Sequence, residues 1–377
     1  MHIGLNAHLL SSQPGYRSAG IHQYIDHLLS ELPAAAPDMT FTAMVGARQM
    51  RSYSGMKMRK APFDTEPPAW RILWEQMVQP WSLGRYDLYH ALAFAAPAVL
   101  LAPMVVTIYD LSFIHYPDRL PRARRLYLER MTALTCQRAR RIIAISRSTA
   151  RDIAAIFGIA ESRIDVAYPG CDFQRFRSLP EEEIAHFRRQ QQLPERFWLF
   201  IGTLEPRKNL IRLLEAYAAL ADHERLPLVI AGGRGWDYEP IFEVVERRGL
   251  EKWVRFPGFV SAEQLPLWYN AAQAFVYPSV FEGFGIPVLE AMACGTPVIT
   301  SDATSLPEVV GDVGMCVPAE DVSAWSAALR RAHEDADWRA DARLRGEARA
   351  RQFTWRATAV QTVMAYRQAA GAARGDG

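Results

Sequence analysis

Strand-like apolar runs alternate with amphipathic helical patterns along most of the chain. The first run, "HIGLNAH", precedes apolar residues that recur at helical spacing between Ile21 and Leu32. This alternation predicts parallel βαβ units, in which helices cover the faces of a sheet. Further strands are predicted in "FTAMVG", "LYHAL", "MVVTIYD", "RIIAIS" and "IDVAY", and then in "FWLFIG", "LPLVIAG", "VRFPG", "AFVYPS" and "TPVITSD".

The two series of strands predict two α/β domains, because 377 residues are too many for one typical core. A turn, "YPGCDFQRF", and an acidic segment separate the series near 175–195. We predict two doubly wound parallel sheets, in residues 1–178 and 190–352, followed by an amphipathic helix at 353–370. Neither half contains G-x-G-x-x-G, which disfavours nicotinamide or flavin binding.

An uncharged run of 18 residues, 91–108, has the length of a membrane helix. Pro97 and Pro103 would interrupt such a helix, and "MVVTI" has the β-branched character of a buried strand. We therefore predict a loop followed by a strand. The start, "MHIGLNAHLL", resembles a first strand rather than an export signal, and the cysteine spacing fits no disulfide framework. Both observations favour the cytoplasm.

Charge is distributed unevenly along the chain. Residues 1–180 carry 21 Lys and Arg against 14 Asp and Glu, whereas the remainder carries 22 against 27. The first half therefore favours an anionic partner, which leaves nucleic acid, a membrane surface, a phosphate-bearing substrate or merely solvated helices open. Trp70, Trp74 and Met77 follow helical spacing and are alternatively core residues. The candidates for a membrane-facing or acceptor-facing surface are Arg48, Arg51, Lys57, Arg59, Lys60, Trp70, Arg71, Trp74 and Trp81.

Two cations follow the first strand of the second half. In "FIGTLEPRKNLIRLLEAYAAL", Arg207 and Lys208 lie between the strand and a helix predicted to begin about Asn209. A helix N-terminus offers free N–H groups and a favourable dipole, and the side chains add full charge, so this turn predicts a diphosphate site. The alternative is a pair of solvated turn residues.

Two carboxylates flank a glycine-rich turn in "YPSVFEGFGIPVLEAMACG". Gly283 and Gly285 allow backbone amides to approach a ligand closely. Glu282 and Glu290 suit hydrogen bonds from vicinal hydroxyls, the groups that a sugar or a ribose offers. Glu290 is alternatively a first-turn glutamate stabilised by the helix dipole.

These motifs, with "PGFVSAEQLPLWYNAAQAFVYPS" and "GTPVITSD", resemble those of the retaining GT-B glycosyltransferases of family 4 over nearly the whole chain. The resemblance implies two Rossmann-like domains that face a central cleft, the first binding the acceptor and the second the nucleotide sugar. It also implies a last helix that crosses back to the N-terminal domain. The activity implied is transfer of a hexosyl unit with retention at the anomeric carbon.

The resemblance also implies roles for individual residues. Glu282 would meet the donor sugar, Glu290 the ribose, and Arg207 with Lys208 the diphosphate. Tyr109 stands where the family usually has His, so either Tyr109 or Asp110 takes part of that role or the role is dispensable in this branch, with His8, His90 and His115 as candidate substitutes. The implied catalytic residues are Glu282, Arg207, Lys208 and Asp110; the donor-binding residues are Gly20, Ile21, Gly202, Phe259, Val260, Phe284, Gly285, Ile286 and Glu290; the acceptor side has Tyr16, Arg17 and Tyr109.

We expect no cofactor and no metal, because fixed cations would cover the diphosphate. The sequence "DAD" at 335–337 matches the D-x-D motif of metal-dependent transferases, but it lies in a late polar helical region, so we interpret the match as coincidence. Similar bacterial transferases use GDP-mannose to build O-antigen and exopolysaccharide. The expected partners are thus a nucleotide-sugar donor and a glycan or polyprenyl-diphosphate-linked oligosaccharide acceptor, without nucleic acid. Peripheral contact of the basic N-terminal domain with the inner face of the membrane is a further expectation. The alternatives are a UDP-sugar donor, a hexosamine-nucleotide 2-epimerase and a non-catalytic nucleotide-sugar-binding protein.

Overall fold

The computed structural model describes residues 1–10, 20–100 and 102–371. They form two compact units. The first unit combines the described residues up to Gly170 with those from Thr354 onward, and the second comprises Cys171–Phe353. Each unit contains one parallel sheet with helices packed around it, so the predicted Rossmann-like class is confirmed.

The sheet of the first unit has the order β3-β2-β1-β4-β5-β6-β7, and every pairing among its described strands is parallel. The inner strands β4 and β5 are buried along their whole length, as their mostly apolar sequences predict for strands covered on both faces. Edge strand β3 was not predicted. The strands are β1 (His2–Asn6), β2 (Thr40–Val45), β3 (Met56–Lys60), β4 (Leu88–Ala91), β5 (Met104–Ile108), β6 (Arg141–Ala144) and β7 (Ile164–Val166).

The helices of the first unit follow the predicted apolar spacing where it was strongest. In the first helix, Tyr24, Ile25 and Leu28 are buried against the sheet. The first unit contains α1 (Ile21–Ala35), α2 (Pro68–Leu73), α3 (Ser112–His115), α4 (Arg122–Arg138), α5 (Arg147–Phe157) and α14 (Trp355–Gly371). α2 continues as a π-helical turn (Trp74–Val78) and a 3-10 segment (Gln79–Arg85) that leads into β4.

The sheet of the second unit has the order β10-β9-β8-β11-β12-β13, again parallel throughout its described strands. The short edge strand β13 was not predicted. The strands are β8 (Trp198–Ile201), β9 (Leu228–Ala231), β10 (Val254–Gly258), β11 (Ala274–Tyr277), β12 (Val298–Ser301) and β13 (Met315–Val317). The helices are α6 (Glu181–Gln190), α7 (Leu210–Ala218), α8 (Glu239–Arg247), α9 (Leu265–Ala271), α10 (Ile286–Ala293), α11 (Leu306–Val310), α12 (Val322–Glu334) and α13 (Ala336–Ala350).

The boundary between the units lies between Gly170 and Cys171. It precedes both the predicted end of the first domain at 178 and the predicted start of the second at 190. Segment 171–190 belongs to the second unit because α6 packs on α9, where the rings of Phe187 and Trp268 lie 5.4 Å apart. The last helix, α14, belongs to the first unit. It packs along α1, and its Tyr366 hydroxyl lies 2.6 Å from Nδ1 of the buried His90.

The uncharged run at 91–108 ends in the buried strand β5, in agreement with the predicted loop and strand. In the part of the chain that the structure describes, no helix is both long enough and apolar enough to cross a membrane.

Candidate active site

The predicted diphosphate-binding turn lies where the sheet of the second unit changes direction. From β8 the chain proceeds outward to β9 and β10, whereas β11 starts the other half of the sheet beside β8. The loops that follow β8 and β11 therefore leave the same edge side by side, which is where ligands bind in open α/β sheets. The loop after β8 ends in a 3-10 turn, Pro206–Lys208, and the loop after β11 carries Glu282.

The carboxylate of Glu282 joins these two loops. Lys208 Nζ lies 2.5 Å from its Oε1, and Arg207 Nη1 lies 3.2 Å from its Oε2. Two hydroxyls also donate to Oε1, that of Ser279 at 2.6 Å and that of Tyr277 at 3.0 Å. All four donors bind the same carboxylate, that of Glu282, whose side chain is nearly buried. The positions of both cations are therefore fixed before any ligand binds.

Backbone contacts hold the turn in place. The Arg207 carbonyl accepts from Val280 N at 2.9 Å and from Ser279 Oγ at 3.0 Å, while Arg207 Nη1 donates to Phe281 O at 3.0 Å. Arg207 Nε also forms an ion pair with Glu205. The turn ends at Asn209, whose φ of 55° lies in the left-handed region that asparagine tolerates better than most residues.

Charge and burial oppose each other in this cluster. Burial would raise the pKa of Glu282, but Lys208 and Arg207 outweigh it and hold that pKa well below its usual range. Burial lowers the pKa of Lys208, and the neighbouring Arg207 lowers it further, against the attraction of Glu282. A diphosphate would add negative charge beside Lys208 and so stabilise its charged form.

The glycine-rich loop brings the backbone into the same region. Gly285 has a φ of 110°, which favours glycine, and a Cβ there would lie 2.7 Å from Leu306 Cδ2, so the Leu306 side chain would have to shift. α10 begins at the next residue, and the first N–H groups of a helix have no intrahelical acceptor. The buried Phe284 ring packs against Phe353, with 5.6 Å between the ring centroids, and this contact holds the loop in place.

Glu290 lies in the second turn of α10 and is only 6% exposed, so it is not a solvated first-turn glutamate. Its Oε2 accepts a hydrogen bond from Tyr269 OH at 3.0 Å. Burial raises the pKa of Glu290 to about 7, although the Tyr269 hydrogen bond and the charge of Arg175 both oppose the rise. Donors that favour the ionised carboxylate, such as vicinal hydroxyls, would lower this pKa again.

The other predicted donor-binding residues of this unit lie at neighbouring strand ends. Gly202 follows β8, and its carbonyl would lie 1.9 Å from a Cβ at Gly232, so the ends of β8 and β9 touch through glycine. Phe259 and Val260 follow β10; Val260 is buried, whereas Phe259 is 63% exposed. An exposed aromatic ring at a strand's carboxyl end is available for stacking on a nucleobase.

In the first unit the predicted residues that the structure describes lie on the loop after β5 and at the start of α1, and the ring of Tyr109 packs against Tyr24 of α1 at 5.2 Å. Tyr109 is buried, and its hydroxyl donates to Leu92 O at 2.8 Å. Asp110 is half-buried, and its Oδ1 accepts from Ser112 N at 2.8 Å. Gly20, with a φ of 50°, and Ile21 form the start of α1. Tyr16 and Arg17 lie outside the described residues.

The three candidate histidines occupy different environments. His90 is buried between Tyr366 and Thr107, and burial lowers its pKa to about 3. His8 is buried beside Thr65, where burial and then the charge of Arg71 lower its pKa to about 4. His115 pairs with Asp152 near the surface.

Sequence reasoning missed a pocket of about 200 Å³ at the carboxyl edge of the first unit's sheet. It lies beside the ends of the paired strands β1 and β4, from which the chain proceeds to opposite sides of the sheet, so this is the sheet's switch point. Asn6 Nδ2 donates to Glu75 Oε1 at 3.0 Å in its wall, and burial raises the pKa of Glu75. Glu75 is the sole acidic residue between Pro68 and Arg85, a sequence signal that could have marked it. The lining comprises Asn6, Leu9, Ile21, Pro68, Arg71, Ile72, Glu75, Ala93, Phe94, Ala95, Arg124, Tyr127 and Leu128.

Comparison with known proteins agrees with this architecture. Residues 19–175 match the family described as Glycosyltransferase Family 4, and residues 181–351 match Glycosyl transferases group 1. The chain belongs to the GT-B glycosyltransferases of family 4, and the predicted resemblance is confirmed. It is 38% identical over 314 residues to the O-antigen chain mannosyltransferase B of Escherichia coli, a match that covers 82% of this chain and 81% of that protein.

Two solved structures share the fold. Sucrose-phosphate synthase from Thermosynechococcus elongatus is 22% identical and superposes with a TM-score of 0.77, covering 98% of this chain and 99% of that one. HepE of Anabaena, solved with UDP and glucose, is 19% identical with a TM-score of 0.73, covering 97% of this chain and 98% of that one. At these identities the likeness concerns the fold. The family matches and the mannosyltransferase relative show that the protein is a glycosyltransferase, and its described residues form two parallel-sheet Rossmann-like domains.

Proposed function

We propose that the protein transfers mannose from GDP-mannose, with retention and without a metal ion, to a lipid-linked glycan in cell-surface polysaccharide synthesis. The observation that carries the choice of sugar is the 38% identity to an O-antigen chain mannosyltransferase. The cluster of Arg207, Lys208 and Glu282 supports the reaction type, because it presents two fixed cations at a sheet's switch point.

In the proposed reaction the acceptor hydroxyl attacks the anomeric carbon from the side of the leaving group. The new bond forms as the bond to the β-phosphate oxygen breaks, and the hydroxyl proton passes to the departing phosphate oxygen. Negative charge then grows on the diphosphate, where Arg207, Lys208 and the N-terminus of α10 would stabilise it. Glu282 would hold both cations and accept a hydrogen bond from the sugar.

Nucleotide recognition is assigned to the same unit. Glu290 would accept hydrogen bonds from the ribose hydroxyls, since it is a buried carboxylate with Tyr269 already fixing one oxygen. The exposed ring of Phe259 would stack on the base. The fold accepts more than one base, since HepE has the same fold and was solved with UDP.

The pocket of the first unit is assigned to the acceptor. Asn6, Glu75 and Arg124 provide polar groups, while Phe94 and Leu128 provide apolar surface, a mixture that suits a sugar ring. Its position at the carboxyl edge of the sheet agrees with the general location of ligands in such domains.

Substitution of Glu75 by Gln tests this assignment. We expect the KM for the acceptor to rise about tenfold, since a hydrogen bond to a charged group contributes about 1.5–3 kcal/mol. The KM for the donor should not change. Glu129→Gln, a substitution on α4 at a residue outside the pocket lining, is the matched control. An unchanged acceptor KM in a variant with normal thermal stability would contradict the assignment.

The donor is tested by thermal unfolding with GDP-, UDP-, ADP- and dTDP-sugars, each with and without EDTA. A ligand at 100 times its Kd should add about 2.7 kcal/mol of stability. We expect GDP-mannose to raise the midpoint selectively and EDTA to leave that shift unchanged. A selective shift with a UDP-sugar would replace the proposed donor, and loss of the shift in EDTA would contradict metal independence.

A further inference from the structure

The second unit contains a cleft of about 270 Å³ at the amino edge of its sheet. The lining includes Arg196, two residues before β8, Gln273, directly before β11, and Pro297, directly before β12. The loops of the candidate active site leave the opposite, carboxyl edge of the same parallel sheet. The cleft is therefore separate from the candidate active site.

Arginine side chains dominate the charge of this cleft. Arg188 Nη1 lies 2.9 Å from Glu181 Oε1, so this pair of charges cancels. Among the residues that the structure describes, no ion pair joins the other three arginines to a carboxylate. The charged residues of the lining are Arg188, Arg196, Arg339, Arg343, Glu181 and Glu195, which leaves an excess of positive charge.

Two of the arginines converge on one carbonyl group. Arg196 Nη2 donates to His333 O at 3.2 Å, and Arg339 Nη1 donates to the same oxygen at 2.7 Å. Arg339 Nη1 also donates to Ala332 O at 3.0 Å, and Arg196 Nε donates to Gln273 Oε1 at 2.5 Å. These acceptors are neutral, and both carbonyls belong to the last turn of α12. One arginine would suffice to cap this helix end, so the second brings charge beyond what the cap requires.

The two arginines repel each other. Burial lowers the pKa of Arg339 and the charge of Arg196 lowers it further, against the weaker attraction of Asp335. Asp335 is already engaged, because its Oδ2 lies 3.2 Å from Arg331 Nε. Burial and then the charge of Arg196 also lower the pKa of His333, which favours a neutral imidazole. An anion bound in the cleft would relieve this repulsion.

We propose that the cleft binds a small anion of the phosphate class, either inorganic phosphate or diphosphate or the phosphate group of a phosphorylated sugar. Arg196 and Arg343 have exposed side chains that would contact the phosphate oxygens, and Arg339 would add charge from the wall. Guanidinium groups suit phosphate because two of their N–H groups can bind two oxygens at once. A cleft of about 270 Å³ limits the ligand to a small molecule. The inference does not depend on the proposed sugar, nucleotide or acceptor.

Calorimetric titration of the full chain tests the site with inorganic phosphate, pyrophosphate and a hexose 1-phosphate, at an ionic strength matched with chloride. We expect Arg196→Gln combined with Arg343→Gln to weaken binding of the preferred ligand at least about tenfold, because charge-assisted hydrogen bonds are lost. Neither residue belongs to the candidate active site. Turnover without added phosphate should therefore stay at the wild-type level.

The matched control is Arg247→Gln combined with Arg248→Gln. It removes two exposed arginines at the end of α8, outside the cleft lining, and changes the net charge by the same amount. The control should keep the wild-type affinity. An anion that binds at Arg207 and Lys208 would bind equally to both variants, so the comparison between them isolates the cleft.

The ligands also distinguish the two sources of phosphate. A hexose 1-phosphate that binds at least about tenfold more tightly than inorganic phosphate would assign the site to a phosphorylated metabolite, and equal affinities would assign it to the inorganic anion. Arg343→Gln alone tests the site if the double variant is unstable, since this side chain makes no hydrogen bond or ion pair within the described residues.

Two results would overturn the proposal. The first is equal affinity and stoichiometry for all three ligands in wild type and the arginine variants of the cleft, which includes a wild-type protein that binds none of them. The second is an equal loss of binding in the control at Arg247 and Arg248, because net charge alone would then explain the effect.

Discussion

Replacement of Glu282 by Gln should lower the rate of glycosyl transfer at least about 100-fold, the cost of losing one preorganised electrostatic contact in an active site. The amide keeps the shape of the side chain but removes the charge that holds Lys208 and Arg207. Initial rates with saturating donor and acceptor measure the effect. Glu282→Ala should in addition destabilise the fold by about 3–5 kcal/mol, because it leaves the buried ammonium of Lys208 without this partner.

The control for this result is a carboxylate that pairs with arginine at the surface. Glu320 lies 2.9 Å from Arg212 in the same unit, with most of its side chain exposed. Glu320→Gln should change stability by less than about 1 kcal/mol and leave turnover intact, since exposed ion pairs contribute little. Full turnover by the Glu282→Gln variant would refute the assignment of the site.

Glu290→Gln should stabilise the free protein at about pH 8 by up to about 3 kcal/mol. Burial raises the pKa of Glu290 from 4.5 to about 7, so the folded protein holds this proton more tightly than the unfolded chain. The stability that the protonated group contributes is complete below pH 4.5 and is lost as pH rises through about 7. Glutamine cannot ionise, and its oxygen still accepts from Tyr269. Denaturant unfolding at several pH values measures the difference between the proteins.

The same substitution should weaken nucleotide binding about 10-fold to 100-fold, because an amide replaces a charged acceptor. In wild-type protein, the affinity for the free nucleotide should increase as the carboxylate ionises near pH 7, whereas the Gln variant should show no such dependence. Calorimetric titration with the free nucleotide on both sides of pH 7 measures the loss of affinity in the variant and the pH dependence in wild-type protein. An unchanged Kd in the variant would contradict the ribose role of Glu290, while a gain in stability alone would still be explained by its burial.

The inner strands could be predicted from sequence, and two edge strands could not. β4, β5 and β11 are buried along their whole length, so each is a mostly apolar run. β3 reads "MKMRK" because charged side chains occupy an edge that faces water, and this pattern has no apolar run to recognise. β13 is the three-residue stretch "MCV" between Gly314 and Pro318, two residue types that favour turns, so its surroundings indicate a loop.

In the site, too, the sequence predicts features formed by neighbouring residues and misses contacts between residues that are far apart along the chain. The turn with Arg207 and Lys208 is local, so its motif was sufficient to place it after β8. The Tyr269–Glu290 and Asn6–Glu75 contacts join residues 21 and 69 positions apart, and sequence spacing does not predict them.

The interpretation of Trp70 and Met77 as core residues was wrong, because they are 55% and 63% exposed. Helical spacing identifies an apolar face, but it does not reveal whether the fold covers that face. In the structure, the side of segment 68–85 that packs on the sheet is the side with Gln79 and Leu83, which are buried.

The position of α14 has a consequence for the order of events during synthesis. Its Trp355 packs against Tyr24 and its Tyr366 against His90, so the first unit lacks part of its interior until α14 emerges from the ribosome. The second unit is continuous in sequence and contains every residue of its own sheet. Although domains generally fold in the order of translation, here the unit that is made second is complete first. The N-terminal half is therefore made first but stays incomplete while about half of the chain is translated. During this time the surface of α1 that contacts α14 is uncovered.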